Sequence, residues 1–202
     1  MANWNKKGIL ISTIDQYIID SVRTIRVNLD LSQKKLSSNL SHSQSTSLIG
    51  NVESIAISHK YTEPQLHELA HIFTEEAKRI KEKLNPDELP TDFQTEYTLY
   101  DFYPKESLPD VLVAKSRNII INKIYPTGAI RSLMEDTEFL NIPRTTKEVT
   151  QEANRLFEKK WNTTDFNSPL DRAVTKGDLV KTEPPLQVTY QKSSAKNTLA
   201  KK

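Results

Sequence analysis

Not one cysteine occurs in the 202 residues. That excludes a disulfide framework and any thiolate metal site. No apolar run approaches the ~20 residues a membrane-spanning helix needs. The opening, MANWNKKGILIST, holds two lysines and an apolar patch only at Gly8–Ile11. The patch is too short for the apolar region of a secretory leader, and no small-residue cleavage site follows it. No glycine-rich nucleotide loop and no nucleophile–base set can be picked out. The expectation is a cytoplasmic protein without cofactor, metal, catalytic residues or membrane partner. Charge of one sign is also scarce, because 28 Lys/Arg stand against 26 Asp/Glu for a net +2. The small excess is C-terminal. Residues 143–202 carry 12 basic and 7 acidic side chains, whereas residues 1–73 carry 7 and 6. A nearly neutral front third is a weak phosphate-binding surface taken one copy at a time.

What the chain does have is a series of helical signals. Ile14, Tyr17, Ile18, Val22, Ile25 and Leu29 fall on one 3.6-residue stripe. Thr13 before it and Gln16 three residues later resemble a capping box, so a helix is expected over about 14–28. Ser32 caps a shorter segment, QKKLSSNL, with Leu36 and Leu40 turned inward. Thr62, followed by Pro64 in the first turn, starts another helix striped by Leu66, Leu69, Ala70 and Phe73. That helix either ends near Thr74 or runs on through Ala77, Ile80 and Leu84.

Between the second and last of these lies LSHSQSTSLIGNVE, residues 40–53. Ser41–Ser47 alone would be a flexible polar linker. Yet it leads directly into Leu48, Ile49 and Val52, which share one helical face. A short turn between two short helices is a helix-turn-helix arrangement. Small hydroxyl and amide side chains at the start of its second member cap that helix and also reach base edges and phosphates.

The stretch VRTIRVNLDLSQKKLSSNL, then IGNVES, then KYTEPQLHELAHIF, resembles the Xre-type, phage-repressor-like helix-turn-helix family over about residues 12–75. The marks are an arginine-containing first helix, Leu31-Ser32-Gln33 opening the second, Leu36, and the pair Val52-Glu53 closing the third. One departure is a gap from Gln33 to Glu53 about two residues longer than the common pattern, with Ser37 and Ser41 at small-residue positions. The resemblance implies that Gln33 bonds a backbone phosphate with Lys34 and Lys35 nearby. It further implies that Ser43, Gln44, Ser45, Thr46 and Ser47, with Asn51, face the major groove. Regulators of this type bind double-stranded DNA as homodimers. The plain alternative for these residues is a solvated helix face.

His67-Glu68-Leu69-Ala70-His71 matches H-E-x-x-H, in which two histidines hold zinc and the glutamate activates water. The motif lies on the helix whose apolar stripe packs the front domain, and everything upstream is helical rather than a substrate-binding sheet. A pair of histidines on a partly exposed helix face is the simpler reading, with a regulatory zinc peptidase as the rival.

Residues 85–126 hold five of the ten prolines among scattered aromatics and are expected to form an irregular connector. IIINKIY, 119–125, reads as a short strand or a helix end. Beyond it, Ile130, Leu133 and Met134 mark a helix. Thr145 and Glu148 form a capping box for another, which runs to about Trp161. Ser168-Pro169 opens a third, stopped by Gly177. DLVKT and LQVTYQK then alternate like the two strands of a hairpin. The order over 127–193 resembles a winged helix, which implies groove or phosphate contacts by Asn167, Ser168, Arg172 and Lys176, with Lys181 on the wing. A protein partner of this domain is the alternative, because Asp171 and Asp178 share its surface. The expected architecture is mainly α: a helix-turn-helix domain at 1–84, a connector at 85–126, a winged-helix-like domain at 127–193 and a basic tail at 194–202.

Overall fold

The computed structural model describes residues 8–40, 47–182 and 188–193. Among these the protein is mainly helical with two small antiparallel sheets. The chain forms two compact units, residues 1–122 and 123–202. No helix among the described residues is long and apolar enough to cross a membrane.

In the first unit a short strand β1 (Leu10–Ser12) runs into α1 (Thr13–Asn28). The cap is Ser12, one residue before the position the pattern favours. Its Oγ accepts from the Asp15 amide, which leaves Gln16 free for another task described below. Just past α1 the chain turns left-handed at Asp30, φ 54°, and the Leu31 amide reaches back to the Arg26 carbonyl. Two short helices follow, α2 (Gln33–Asn39) and α3 (Leu48–Glu53), then α4 (Glu63–Lys83). Helix α4 continues past Thr74, because Ala77 keeps its stripe buried after Phe73 and Ile80 packs partly against the same core. Its start is a capping box in which the Thr62 amide donates to Gln65 Oε1 at 2.9 Å.

Residues 85–122 differ from a connector between domains: they are part of the first unit. Their aromatics fold back on α4. Phe73 meets Tyr97 and Phe102 edge to face, with ring centres 6.0 and 6.1 Å apart. Such pairs add about 0.5–1.5 kcal/mol each beyond the area they bury. Thr74 fixes the register, since its Oγ1 accepts from the Tyr97 amide at 2.9 Å. Further on, β2 (Leu112–Ala114) pairs antiparallel with β1, Ile11 opposite Val113. A strand of three residues has too short an alternation to be seen in sequence, and its partner lies a hundred residues away. Residues 119–125 are neither strand nor α-helix; they contain a 3₁₀ turn at Ile121–Lys123.

The second unit contains α5 (Pro126–Asp136), α6 (Thr146–Phe157), α7 (Asn167–Thr175) and a hairpin of β3 (Leu179–Thr182) and β4 (Thr189–Lys192). Before α6, Arg144 adds a bridge to the hairpin, exchanging both backbone hydrogen bonds with Tyr190 at 2.8 and 2.7 Å. The Thr145–Glu148 capping box forms as expected. Helix α6 stops at Glu158 rather than Trp161, because Glu158 turns left-handed at φ 52°. Trp161 is then held by paired hydrogen bonds with the Asn154 amide, both 2.9 Å, and packs on Phe166. Helix α7 begins at Asn167 out of a 3₁₀ turn, so Ser168 is inside it rather than its cap. Gly177, at φ 79°, ends it: the Asp178 amide bonds the Ala173 carbonyl and the Gly177 amide the Val174 carbonyl. That is a Schellman pattern, which a glycine adopts without the Cβ penalty. The tip of the hairpin, 183–187, and the basic tail, 194–202, lie outside the described residues.

Candidate nucleic-acid interface

The base of the α2–α3 pair is built from buried charge. Arg23 and Arg26 on α1 sit among its core residues with no solvent exposure, and Glu53, the last residue of α3, is 1% exposed. Arg26 donates to the Glu53 carboxylate from Nε at 2.7 Å and from Nη2 at 2.8 Å. Arg23 adds Nε at 3.3 Å, and Gln33 Nε2, from the start of α2, adds 2.7 Å. Arg26 Nη1 also satisfies the Leu31 carbonyl at 2.7 Å. One carboxylate therefore joins α1, α2 and α3. Burial alone would push the Glu53 carboxyl up. Arg26, by charge and hydrogen bond, then Arg23 and the Gln33 amide, outweigh this and hold it below the ordinary carboxylate range. Tyr61 is buried beside the cluster, its hydroxyl without a hydrogen-bond partner among the described residues. Its pKa is driven up by burial and then by the Glu53 charge, against the pull of both arginines.

Helix α3 is aligned on α2 by a serine. Ser37 is 3% exposed, and its Oγ accepts from the Ile49 amide at 3.1 Å, satisfying a first-turn N–H that α3 cannot bond internally. Ile49 and Val52 fill the core behind it. The opposite side stays open, as a recess of about 310 Å³ lined by Gln33, Lys34, Ser37, Ser47 and Gly50. Three of the predicted contacts, Gln33, Lys34 and Ser47, are thus brought together. Lys34 and Ser47 are exposed and Asn51 is half-buried on α3. Gln33 departs from the expectation in one respect, because its amide is already committed to Glu53. Lys35 leans to Glu76 of α4 at 3.6 Å instead of standing free. The candidates Ser43, Gln44, Ser45 and Thr46 lie outside the described residues.

In the second unit, Arg172 lies over the start of α7, bonding Ser168 Oγ at 2.6 Å and Thr127 Oγ1, at the start of α5, at 3.2 Å. Lys176 follows one turn later and is exposed. Lys181 is on β3, where its Nζ sits 3.3 Å from Asp171. Asn167, Asp171 and Thr175 form the most exposed line of α7. An acidic residue at the centre of that line takes up the cation assigned to a phosphate.

The two histidines of the HELAH segment lie on the exposed side of α4. Leu66, Leu69, Ala70 and Phe73 are buried, as the stripe requires, and His67 and His71 are exposed. The nearest acidic partner of His67 is Glu63, at 3.9 Å and itself 73% exposed. Among the described residues no group of three or more His, Cys, Asp or Glu is arranged to hold a metal ion.

Sequence reasoning took the arginines of α1 and the Val52-Glu53 pair only as marks of resemblance. The signal for their pairing was present. Arg26 follows Val22 and precedes Leu29 on a stripe that is otherwise core, and Glu53 extends the face of Ile49 and Val52. Charges of both signs on two buried stripes require each other. No family model, curated protein or solved structure matches the chain.

Proposed function

We propose that the protein is a sequence-specific DNA-binding transcriptional regulator whose first unit is an Xre-like helix-turn-helix domain and whose second unit is a winged helix. The observation that carries the reading is the α2–α3 pair. Glu53 locks it from behind and Ser37 ties α3 to α2, while Gln33, Lys34 and Ser47 border one open recess. Burying two arginines and a glutamate to align two short helices is a costly way to build a scaffold. It is an effective way to hold a reading helix in one orientation. The order helix, bridging strand, helix, helix, hairpin supports the winged-helix reading of the second unit. Action is by occupancy: α3 and the residues before it meet base edges, lysines and hydroxyls hold phosphates, and bound protein blocks or recruits polymerase. The near-neutral balance of residues 1–73, 7 basic against 6 acidic side chains, favours a homodimer on paired half-sites, where two weak contacts add.

The test is selection of binding sites from random duplexes by the full chain, beside Lys34→Ala/Ser47→Ala and Asn51→Ala variants. A defined two-fold motif, weakened or altered in the variants, supports the reading. Sequence-blind, salt-sensitive binding that is equal in all three overturns it. Light scattering on the DNA complex checks the dimer, and one copy per site would refute that part. One observation favours a second reading for the second unit alone: Asp171 on the exposed line of α7 neutralises Lys181. In that reading the winged helix binds a protein partner, and an Asp171→Ala substitution leaves DNA affinity unchanged.

A further inference from the structure

Residues 115–120 cross the first unit as a strap in which five of six residues bond to α1 or its surroundings. The Gln16 side chain pairs with the Ser116 backbone in both directions, Nε2 to the carbonyl at 3.0 Å and Oε1 from the amide at 3.1 Å. One turn on, Asp20 Oδ2 accepts from Asn118 Nδ2 at 3.3 Å. Next, Arg23 Nη1 donates to the Asn118 carbonyl at 3.4 Å, and Thr24 Oγ1 accepts from the Ile120 amide at 3.0 Å. The rungs climb α1 in step with the strap. At its start the ammonium of Lys115, 5% exposed, donates to the carbonyls of Ile57 and His59 at 2.6 and 2.9 Å, in the loop that follows α3. Arg117 approaches Glu53 at 3.9 Å.

The strap is tied to α1 by hydrogen bonds, and its two isoleucines, Ile119 and Ile120, are only half-buried. Polar rungs of this kind open locally far more readily than a core does. Two of them reach the α3 anchor directly. Arg23 is shared between Asn118 and Glu53, and Lys115 ties down the chain leaving α3. Lifting the strap would admit water to the Glu53 cluster, and an ion pair in water is worth much less than the same pair shielded from it. The first unit ends just beyond the strap, at Asn122. A pull on the chain there would peel Ile120, then Asn118, then Ser116.

We propose that residues 115–120 are a latch on α3: docked on α1 they hold the Glu53 cluster closed and α3 in one pose, and their release loosens α3 while α4 stays in place. Its role in DNA binding rests on the regulator reading, but the latch itself is read without DNA, so the two can fail separately. The experiment is residue-resolved native-state amide exchange on the full chain and on Gln16→Leu and Thr24→Val. Gln16→Leu removes two rungs at one end, and Thr24→Val removes one at the other with little change in shape. The expected result is that Ser116 and Ile120 amides exchange faster, by about tenfold or more in Gln16→Leu. Asn51 and Glu53 amides should accelerate by a similar factor while Leu69 and Phe73 of α4 change by less than about twofold. Thr24→Val should show the same pattern at smaller size, and it carries the test alone if Gln16→Leu does not fold. An opened strap with α3 amides unchanged, or α3 and α4 accelerated equally, overturns the latch. So does a strap that stays closed in both variants.

Discussion

Replacing Glu53 by leucine should be among the most damaging single changes in the first unit. The substitution leaves the guanidiniums of Arg23 and Arg26 at zero exposure without their carboxylate. Arg26 retains the Leu31 carbonyl at 2.7 Å and Arg23 the Asn118 carbonyl at 3.4 Å, acceptors that carry no full charge to offset theirs. Breaking a buried pair from one side costs about 3–5 kcal/mol. At ~1.4 kcal/mol per decade that is a loss of roughly two to three and a half decades of protection for core amides of α1. The assay is native-state exchange of the Val22 and Thr24 amides in the full chain, beside urea unfolding followed by circular dichroism. The companion variant Arg23→Met/Arg26→Met/Glu53→Leu removes all three charges and keeps the volume apolar. It should recover most of the loss, since apolar replacement of a complete buried cluster is often neutral or better. A single variant that loses less than about 1 kcal/mol, or a triple variant no better than the single, would refute the assignment of Glu53 as the structural hub.

Three further outcomes follow from named residues. Asp20 is pushed by burial up to about 6, against hydrogen bonds from Asn118 and Gln16 and the charge of Arg23. Because the folded value lies above the unfolded one, the folded state holds the proton longer, and stability from this group falls as pH rises through about 6. Between pH ~4.5 and ~7.5 the wild type should lose up to about 2 kcal/mol more than Asp20→Asn does; parallel profiles would refute this. Glu158→Gly relieves a left-handed glutamate at the end of α6, and the second unit should gain about 0.5–1 kcal/mol in thermal unfolding, with no gain counting against it. Gly50 sits in the middle of α3 with room for a methyl group, whose nearest neighbour would be Gln33 Oε1 at 3.5 Å. Gly50→Ala should therefore stabilise α3 by up to about 1 kcal/mol, seen as slower exchange of the Glu53 amide; faster exchange would show that the recess is tighter than it looks.

The periodic stripes of α1, α4, α6 and α7 were legible because each helix spends its apolar residues on one face, and that pattern survives without knowing the partner. So were the Thr145–Glu148 box, the Gly177 stop and the final hairpin, each a matter of neighbours within a few residues. The buried stripe through the HELAH segment was legible for the same reason: Leu69 and Ala70 belong to it and the two histidines do not. Three of the residues the resemblance singled out, Gln33, Lys34 and Ser47, line one recess between α2 and α3.

What only the tertiary structure decided depends on residues far apart in the chain. The β1–β2 pair and the return of Tyr97 and Phe102 onto Phe73 made residues 85–122 part of the first unit, though proline content alone described a connector. The resemblances gave Gln33 and Lys181 to phosphates, and in the fold both meet carboxylates. The pairing of Arg23 and Arg26 with Glu53 spans three elements. Local sequence records that a charge lies on a buried stripe, but only the assembled core supplies the opposite charge that makes it tolerable. Apolar periodicity is a property of one helix, whereas satisfaction of a buried charge is a property of the whole fold.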